Sequence, residues 1–235
     1  MSNRSIKEFY FIRHGETDWN VKGKLQGCES DIELNNLGKK QADKTGHYLN
    51  NYRLNSGTFD LIVSSGMKRT NETAKIIADA LGYDKEIMII EEFKEFCHGK
   101  LGGYTYDELI KNFKTYAERE QLLKEETDPL KQRKIYYENN KIFNQEYDQE
   151  LIKDVRKRIK KGLEILSSLQ EKKIIIVSHG GIIHFLLKIL TGIEDTIKSA
   201  ANCSITYIKL YQIIKNNKIK KKYKIIQLPN KEHLK

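Results

Sequence analysis

Punctuation is scarce in this chain: its 235 residues include two prolines, one tryptophan and three cysteines. No Pro/Gly/Ser-rich stretch reads as a flexible linker, so one compact domain over residues 1–235 is expected. That length lies close to where chains begin to split into domains. No apolar run reaches the ~18–20 residues that a membrane span requires. Met1 to Glu8 lack the apolar core of a secretion signal, so a cytoplasmic protein without membrane contact is expected. Cys28, Cys97 and Cys203 are odd in number and lack metal-ligand spacing, which reads as reduced thiols.

The net charge is +10, with lysine supplying nearly all of the positive side and arginine occurring only eight times. Lys, Asn and Ile are abundant together, a compositional bias rather than a designed basic patch. A solvated lysine-rich surface accounts for it better than a nucleic-acid site, and no nucleic-acid partner is expected. The same positive field would also attract a small phosphorylated substrate.

Phe9 to Ile12, Leu61 to Val63 and Ile174 to Val177 are short β-branched or aromatic runs, each ending at a polar residue, and read as buried strands. Ile87 to Ile90 is a weaker strand. Helical patterns lie between them at Leu37 to Leu49, Lys68 to Leu81, Asp148 to Leu169 and Gly181 to Leu190. The alternation predicts an α/β three-layer sandwich: a mostly parallel central sheet with helices on both faces. Residues 205–214 and 222–228 predict a closing C-terminal hairpin around Asn216-Asn217. The polar segment at about 104–147, interrupted by Asp128-Pro129, is expected as a helical insertion.

What stands at the strand ends is more informative. The first run leads into Arg13-His14-Gly15-Glu16-Thr17, the second into Ser64-Ser65-Gly66 with Arg69 soon after, and the third into Ser178-His179-Gly180-Gly181. Open α/β sheets bind ligands beyond the carboxyl ends of their strands, so one rim receives two histidines and two arginines. A single histidine after a strand is more often a satisfied loop residue; four such residues converging are harder to dismiss. Guanidinium forks grip phosphate oxygens, and neutral imidazole is a good in-line nucleophile toward phosphorus. Neighbouring arginines favour the neutral imidazole. Gly15 and Gly180 permit close backbone approach, and helix N-termini there favour an anion.

Phe11-Ile12-Arg13-His14-Gly15-Glu16-Thr17-Asp18-Trp19-Asn20, followed by Gly23 and Gln26-Gly27, resembles the signature of the histidine phosphatase superfamily, the phosphoglycerate mutase-like enzymes. Ser64 to Ala74, Val177 to Ile183, Asn202 to Thr206 and Asn230 to Leu234 are similar to its later segments. The resemblance implies His14 as nucleophile, Arg13, Arg69 and His179 as the phosphate pocket, and a carboxylic acid as proton donor. That acid precedes a glycine by four residues in a stretch of the form acid-x-x-x-Gly-x-x-x-Gly, which Glu95 to Gly103 fits, so Glu95 is the match, with Glu91 and Glu92 as nearby competitors. Thr17, Asn20, Gln26, Gly27, His98 and Gly180 are the further candidates for substrate binding. No metal and no cofactor is expected.

Two branches share this core. Leu25-Gln26-Gly27-Cys28, the lack of an Arg-Arg pair between residues 104 and 150, and Gly181-Ile182 after the second His-Gly all resemble the phosphatase branch. Arg119 and Arg133 are isolated and would make a poor clamp for a mutase. The expected activity is therefore acid-type, metal-independent phosphomonoester hydrolysis through a phosphohistidine. A cofactor-dependent phosphoglycerate mutase is the alternative within the family, and a catalytically silent phospho-ligand binding module the alternative outside it. The pattern leaves a homodimer open and does not name the substrate.

Overall fold

In a computed structural model describing residues 3–192, 200–215 and 218–235, the apolar runs form the centre of one six-stranded sheet ordered β3-β2-β4-β1-β5-β6. The strands are β1 (Asn3–Arg13), β2 (Leu61–Ser64), β3 (Met88–Ile89), β4 (Lys173–Ser178), β5 (Ile205–Lys215) and β6 (Lys218–Asn230). β3, β2, β4 and β1 pair in parallel; β5 and β6 add antiparallel. Arg13 lies opposite Ser178 and Ser64 opposite Val177, so three strands run out at one level of the sheet. This register delivers His14, Ser65 and His179 to the same rim.

Strand alternation sorts the core into two faces. Phe9, Phe11, Ile174 and Ile176 pack with α7 (Ile152–Ser168) and α8 (Gly180–Thr191), through residues such as Val155, Ile159 and Leu186. Tyr10, Ile12, Ile175 and Val177 pack with α2 (Asn36–Ser56) and α3 (Lys68–Leu81), through Leu49, Ala74 and Ile77. Both faces are covered, as a parallel sheet requires. None of the described helices is long and apolar enough to cross a membrane.

A short helix, α1 (Asp18–Val21), follows β1 and is capped reciprocally by Thr17 and Asn20. The insertion folds as α4 (Tyr106–Asn112), α5 (Lys114–Glu125) and α6 (Pro129–Tyr147) around a small core of Leu101, Leu109, Tyr116 and Phe143. Asp128 caps α6 and Pro129 opens it, so the Asp-Pro pair starts a helix here. The helix expected from Asp148 begins at Ile152, because Asp148 takes a left-handed conformation (φ 58°) that closes α6 instead. The hairpin forms, and its Asn216-Asn217 turn lies outside the described residues. β6 is the sheet edge, with Lys220, Lys221, Lys222 and Lys224 exposed beside Ile226 and Leu228.

One expectation is overturned. Cys28 and Cys97 are joined by a disulfide, with their Cα atoms 4.6 Å apart, and only Cys203 is a free, buried thiol. Sixty-nine residues separate the pair in sequence. Chain spacing therefore carries no hint of a contact made by packing the loop after α1 against the loop before Gly99.

Candidate active site

His14 leaves β1 at a point where nothing larger than glycine can follow. A Cβ at Gly15 would lie 2.4 Å from the Gly38 carbonyl oxygen, and one at Gly38 would lie 2.1 Å from that of Glu16. The two backbones touch, which holds the His14 turn against the start of α2. Thr73 of α3 accepts the Gly15 N–H at 3.0 Å, and Asn202 donates to the His14 carbonyl at 3.0 Å. The nucleophile candidate thus sits on a backbone clamped from both sides.

The imidazole itself is 2% exposed. Its Nδ1 lies 2.7 Å from the Gly15 carbonyl, which can only accept, so Nδ1 carries the proton and Nε2 the lone pair. Burial first, then Arg13 and Arg69, hold its pKa well below the usual histidine value. The ring is neutral and tautomerically fixed.

His179 opens α8, its ring centroid 5.3 Å from that of His14. Arg69 Nε donates to its Nδ1 at 3.3 Å, and its Nε2 lies 2.8 Å from Ser65 Oγ. Donor logic then orders the row: His179 Nε2–H to Ser65, Ser65 to Thr70 Oγ1 (2.9 Å), and Thr70 to the Met67 carbonyl (2.7 Å). Burial, then Arg69, keeps His179 neutral as well. Arg69 is fully buried and also donates to the carbonyls of Ser30 (2.6 Å) and Gly27 (3.2 Å). Burial lowers its pKa to about 10, still a cation at neutral pH. His14 and Arg13 line a cavity, whereas Arg69 and His179 are buried beside them with other partners engaged. Sequence reasoning missed Ser65 and Thr70 as the residues orienting His179.

Glu95 is also buried, and its two oxygens receive Phe96 N–H (2.9 Å) and Gly181 N–H (3.2 Å) at the start of α8. Burial raises its pKa and outweighs those bonds and the attraction of Arg69 and Arg13. The opposing influences on this acid, balanced in the sequence, resolve toward the protonated form. A Cβ at Gly181 would meet Glu95 Oε1 at 2.5 Å, which explains the glycine. The Glu95 loop is braced by Arg158, which donates to the carbonyls of Glu92 (2.9 Å), Lys94 (2.5 Å) and Glu95 (3.1 Å). Arg158 in turn forks onto both oxygens of Glu150 at 2.7 and 2.9 Å. The competitor Glu92 instead pairs with Lys161 at 2.6 Å, and Glu91 with Lys94 at 2.9 Å.

A cavity of about 700 Å³ opens over these residues, lined at one end by Arg13, His14, Asn20, Gln26, Glu95, His98 and Gly180. Thr17 Oγ1 donates to Gln26 Oε1 at 2.8 Å, fixing the amide so that Nε2 faces elsewhere. Among the described residues, Arg13 Nε, Gln26 Nε2 and His98 Nδ1 are buried without a partner. Burial lowers the His98 pKa to about 4. Three buried polar atoms without a partner on the wall of one cavity suit the binding of a polar ligand. The Gly27 carbonyl accepts from Arg69 and from the Ser30 N–H, and Thr17 acts through Gln26 and Asn20. The insertion forms the far wall with Tyr116, Arg119, Arg133, Tyr136, Tyr137 and Phe143. Arg119 stacks 4.2 Å over Tyr116 and pairs with Glu120. Cys28, Glu29 and Cys97 are the one described cluster tight enough to hold a metal; none lines the cavity, and the two sulfurs are bonded to each other.

The sequence signature of the histidine phosphatase superfamily, branch 1, matches residues 9–213. The chain belongs to that superfamily. Among curated histidine phosphatase-like proteins, it is 33% identical to the uncharacterized phosphatase PhoE of Bacillus subtilis, over 80% of this chain and 79% of that protein. The phosphoserine phosphatase of Entamoeba histolytica, solved with phosphoserine, is 28% identical, with a TM-score of 0.66 over 97% of this chain and 98% of that one. A Bacillus anthracis phosphoglycerate mutase shares the fold, at 20% identity and TM-score 0.77 over 98% of this chain and 96% of that one.

Proposed function

We propose that this histidine phosphatase-superfamily protein hydrolyses small phosphomonoesters in two steps, with His14 as nucleophile and Glu95 as acid and then base. One observation carries the reading: a neutral His14 with its lone pair fixed on Nε2 borders the same cavity as a buried carboxyl group that favours its proton. The Nε2 lone pair attacks phosphorus in line, the bridging P–O bond breaks, and Glu95 protonates the departing oxygen. Glu95, now ionised, takes a proton from water as that water attacks the phosphohistidine; phosphate leaves and neutral His14 returns. Arg13 Nε, Gln26 Nε2 and His98 are the partnerless groups available to the phosphoryl oxygens. Arg69 retains guanidinium donors beyond the three engaged. His179 reaches phosphate by exchanging its bond to Ser65.

The cavity wall carries one carboxylate, Glu95, among cationic and neutral donors, a poor Mg²⁺ site, which supports metal-independent chemistry. Activity is expected to survive exhaustive chelation; a strict metal requirement would end this reading. The likeness to phosphoserine phosphatases supports a small phosphorylated substrate, and hydrolysis is favoured over phosphoglycerate mutase activity by the segments that resemble the phosphatase branch. Incubation with 3-phosphoglycerate and a bisphosphoglycerate primer should release phosphate; fast isomerisation with little free phosphate would reverse that choice. The decisive test of the nucleophile is trapping: a quenched reaction should hold an acid-labile phosphoryl group on wild-type protein and none on His14→Ala. Normal turnover by His14→Ala would refute the covalent route.

A further inference from the structure

We propose that Cys28 and Cys97 are a thiol–disulfide switch that sets the placement of Glu95, exchanging with small-molecule or protein disulfides of the glutathione or thioredoxin class. The proposal rests on the assignment of Glu95 as the acid.

The bond joins two of the loops that build the phosphate end of the cavity. Cys28 directly follows Gly27, whose carbonyl holds Arg69, and lies two residues after Gln26, a wall residue. Cys97 lies two residues after Glu95, and its backbone pairs with Glu150 in both directions: its N–H donates to the Glu150 carboxylate and its carbonyl accepts the Glu150 N–H. Beside the disulfide, the Glu29 carboxylate accepts the His98 N–H at 3.1 Å. The Glu95 loop is thus held from three sides: by Arg158 with Glu150, by Ser178 Oγ at the end of β4 with Gly181 N–H at the start of α8, and by the Cys28 loop. Breaking the sulfur–sulfur bond removes the one covalent tie and leaves the Cys28 side held by hydrogen bonds alone: those of the Glu29 carboxylate with the His98 and Gly99 backbone, and the Leu25 backbone pairs with Gly103 and Tyr104.

Access and chemistry fit exchange. Cys28 and Cys97 are both half-buried, so a partner thiol can reach them, whereas Cys203 is fully buried and its thiol is pushed up to about 12. Cysteine reactivity needs exposure and thiolate character, so Cys203 stays silent. In the oxidising direction, one protein thiolate attacks a sulfur of the external disulfide and expels a thiolate, leaving a mixed disulfide. The second protein thiolate attacks the protein-side sulfur, forming Cys28–Cys97 and releasing the second external thiol. Two electrons pass from protein to oxidant, and the two protein thiol protons go to the released thiolates. Intracellular disulfides, where they occur, are typically transient, catalytic or redox-sensing. The assembled positions of His14, Arg13 and Glu95 occur in the bonded state, so oxidation is the active setting.

The test uses the full chain equilibrated in glutathione buffers of graded redox ratio. Thiols titrated after denaturation should fall from three to one as the buffer becomes oxidising. Across the same transition, kcat/KM on an alkyl phosphate should rise several-fold, and on an aryl phosphate by less than twofold, because aryl leaving groups need little protonation. Cys28→Ser and Cys97→Ser should each hold the reduced level in every buffer. A merely structural bond would shift both substrates alike or only the melting temperature, and that result overturns the proposal, as does a thiol count fixed at three. Glu95→Gln in the same buffers separates the two readings. If it does not distinguish alkyl from aryl esters in the oxidised state, the acid assignment falls. If it does and wild type shows no redox transition, only the switch falls.

Discussion

The two ends of the cavity are built on different principles. At the phosphate end, His14 leaves a strand, His179 opens a helix and Glu95 sits on a loop, and contacts with backbone hold them: Gly15 on Gly38, Gly181 against Glu95, Asn202 on the His14 carbonyl. At the far end, α5 and α6 contribute aromatic and cationic side chains that hold one another, as Arg119 does over Tyr116 and Phe143. The first arrangement tolerates almost no displacement and suits reaction with one invariant group. The second can be repacked without touching the chemistry, so under the proposed function it is where the body of the substrate would be selected.

Arg13→Ala should break the phosphate end most simply. It removes a partnerless donor from the wall, and kcat should fall about 10²–10³-fold for every substrate, the scale of losing one charge-stabilising group. A loss confined to some esters would place Arg13 with the far wall instead.

Glu95→Gln sharpens the same end. Loss on alkyl phosphates should be about 10²–10⁴-fold, the usual size of general acid catalysis, and clearly smaller on aryl phosphates. The pH dependence follows from the directions of the shifts. Glu95 has a raised pKa and must be protonated, so kcat/KM falls as pH rises through that value. His14 has a lowered pKa and must be neutral, so the acid limb lies below the ordinary histidine range. Glu95→Gln should erase the alkaline limb and keep the acid one; an unchanged alkaline limb would assign it to another group.

The smallest expected effect belongs to the far wall. Tyr116→Ala should raise KM about tenfold for bulky aromatic phosphoesters, ~1.5 kcal/mol being the upper range of an aromatic contact, and leave kcat on a compact ester within twofold. An equal fall in kcat for all substrates would erase the proposed division between the two ends.

That division also explains what the sequence discloses. Strand periodicity and the polar residue at each strand end are local signals, so the sheet and the rim carrying His14, Arg13 and His179 are legible in it. Glu95 is legible only through resemblance, because its carboxyl is defined by burial and by N–H groups of α8. The brace is not legible: Arg158 lies 63 residues from the Glu95 carbonyl it holds. The Cys28–Cys97 bond escapes for the same reason, and oddness in the cysteine count misleads. In the insertion, helical character is readable, but which side of each helix meets the cavity is settled by packing around Leu109, Tyr116 and Phe143. Arg119 and Arg133, isolated along the chain, end on the same wall.

β6 has a consequence for how the protein behaves in a crowded solution. An open strand edge of 13 residues, carrying exposed Ile226 and Leu228, is a template for cross-molecular pairing. Its exposed lysines act as gatekeepers, because a second molecule adding along the edge would align like charges at a spacing too short for water to screen well. The compositional lysine bias, which carries no functional message along the chain, becomes protective where the fold leaves a strand open. Protection against edge-to-edge association is thus placed in one short stretch, and neutralising its lysines by acetylation or a polyanion would lower that barrier.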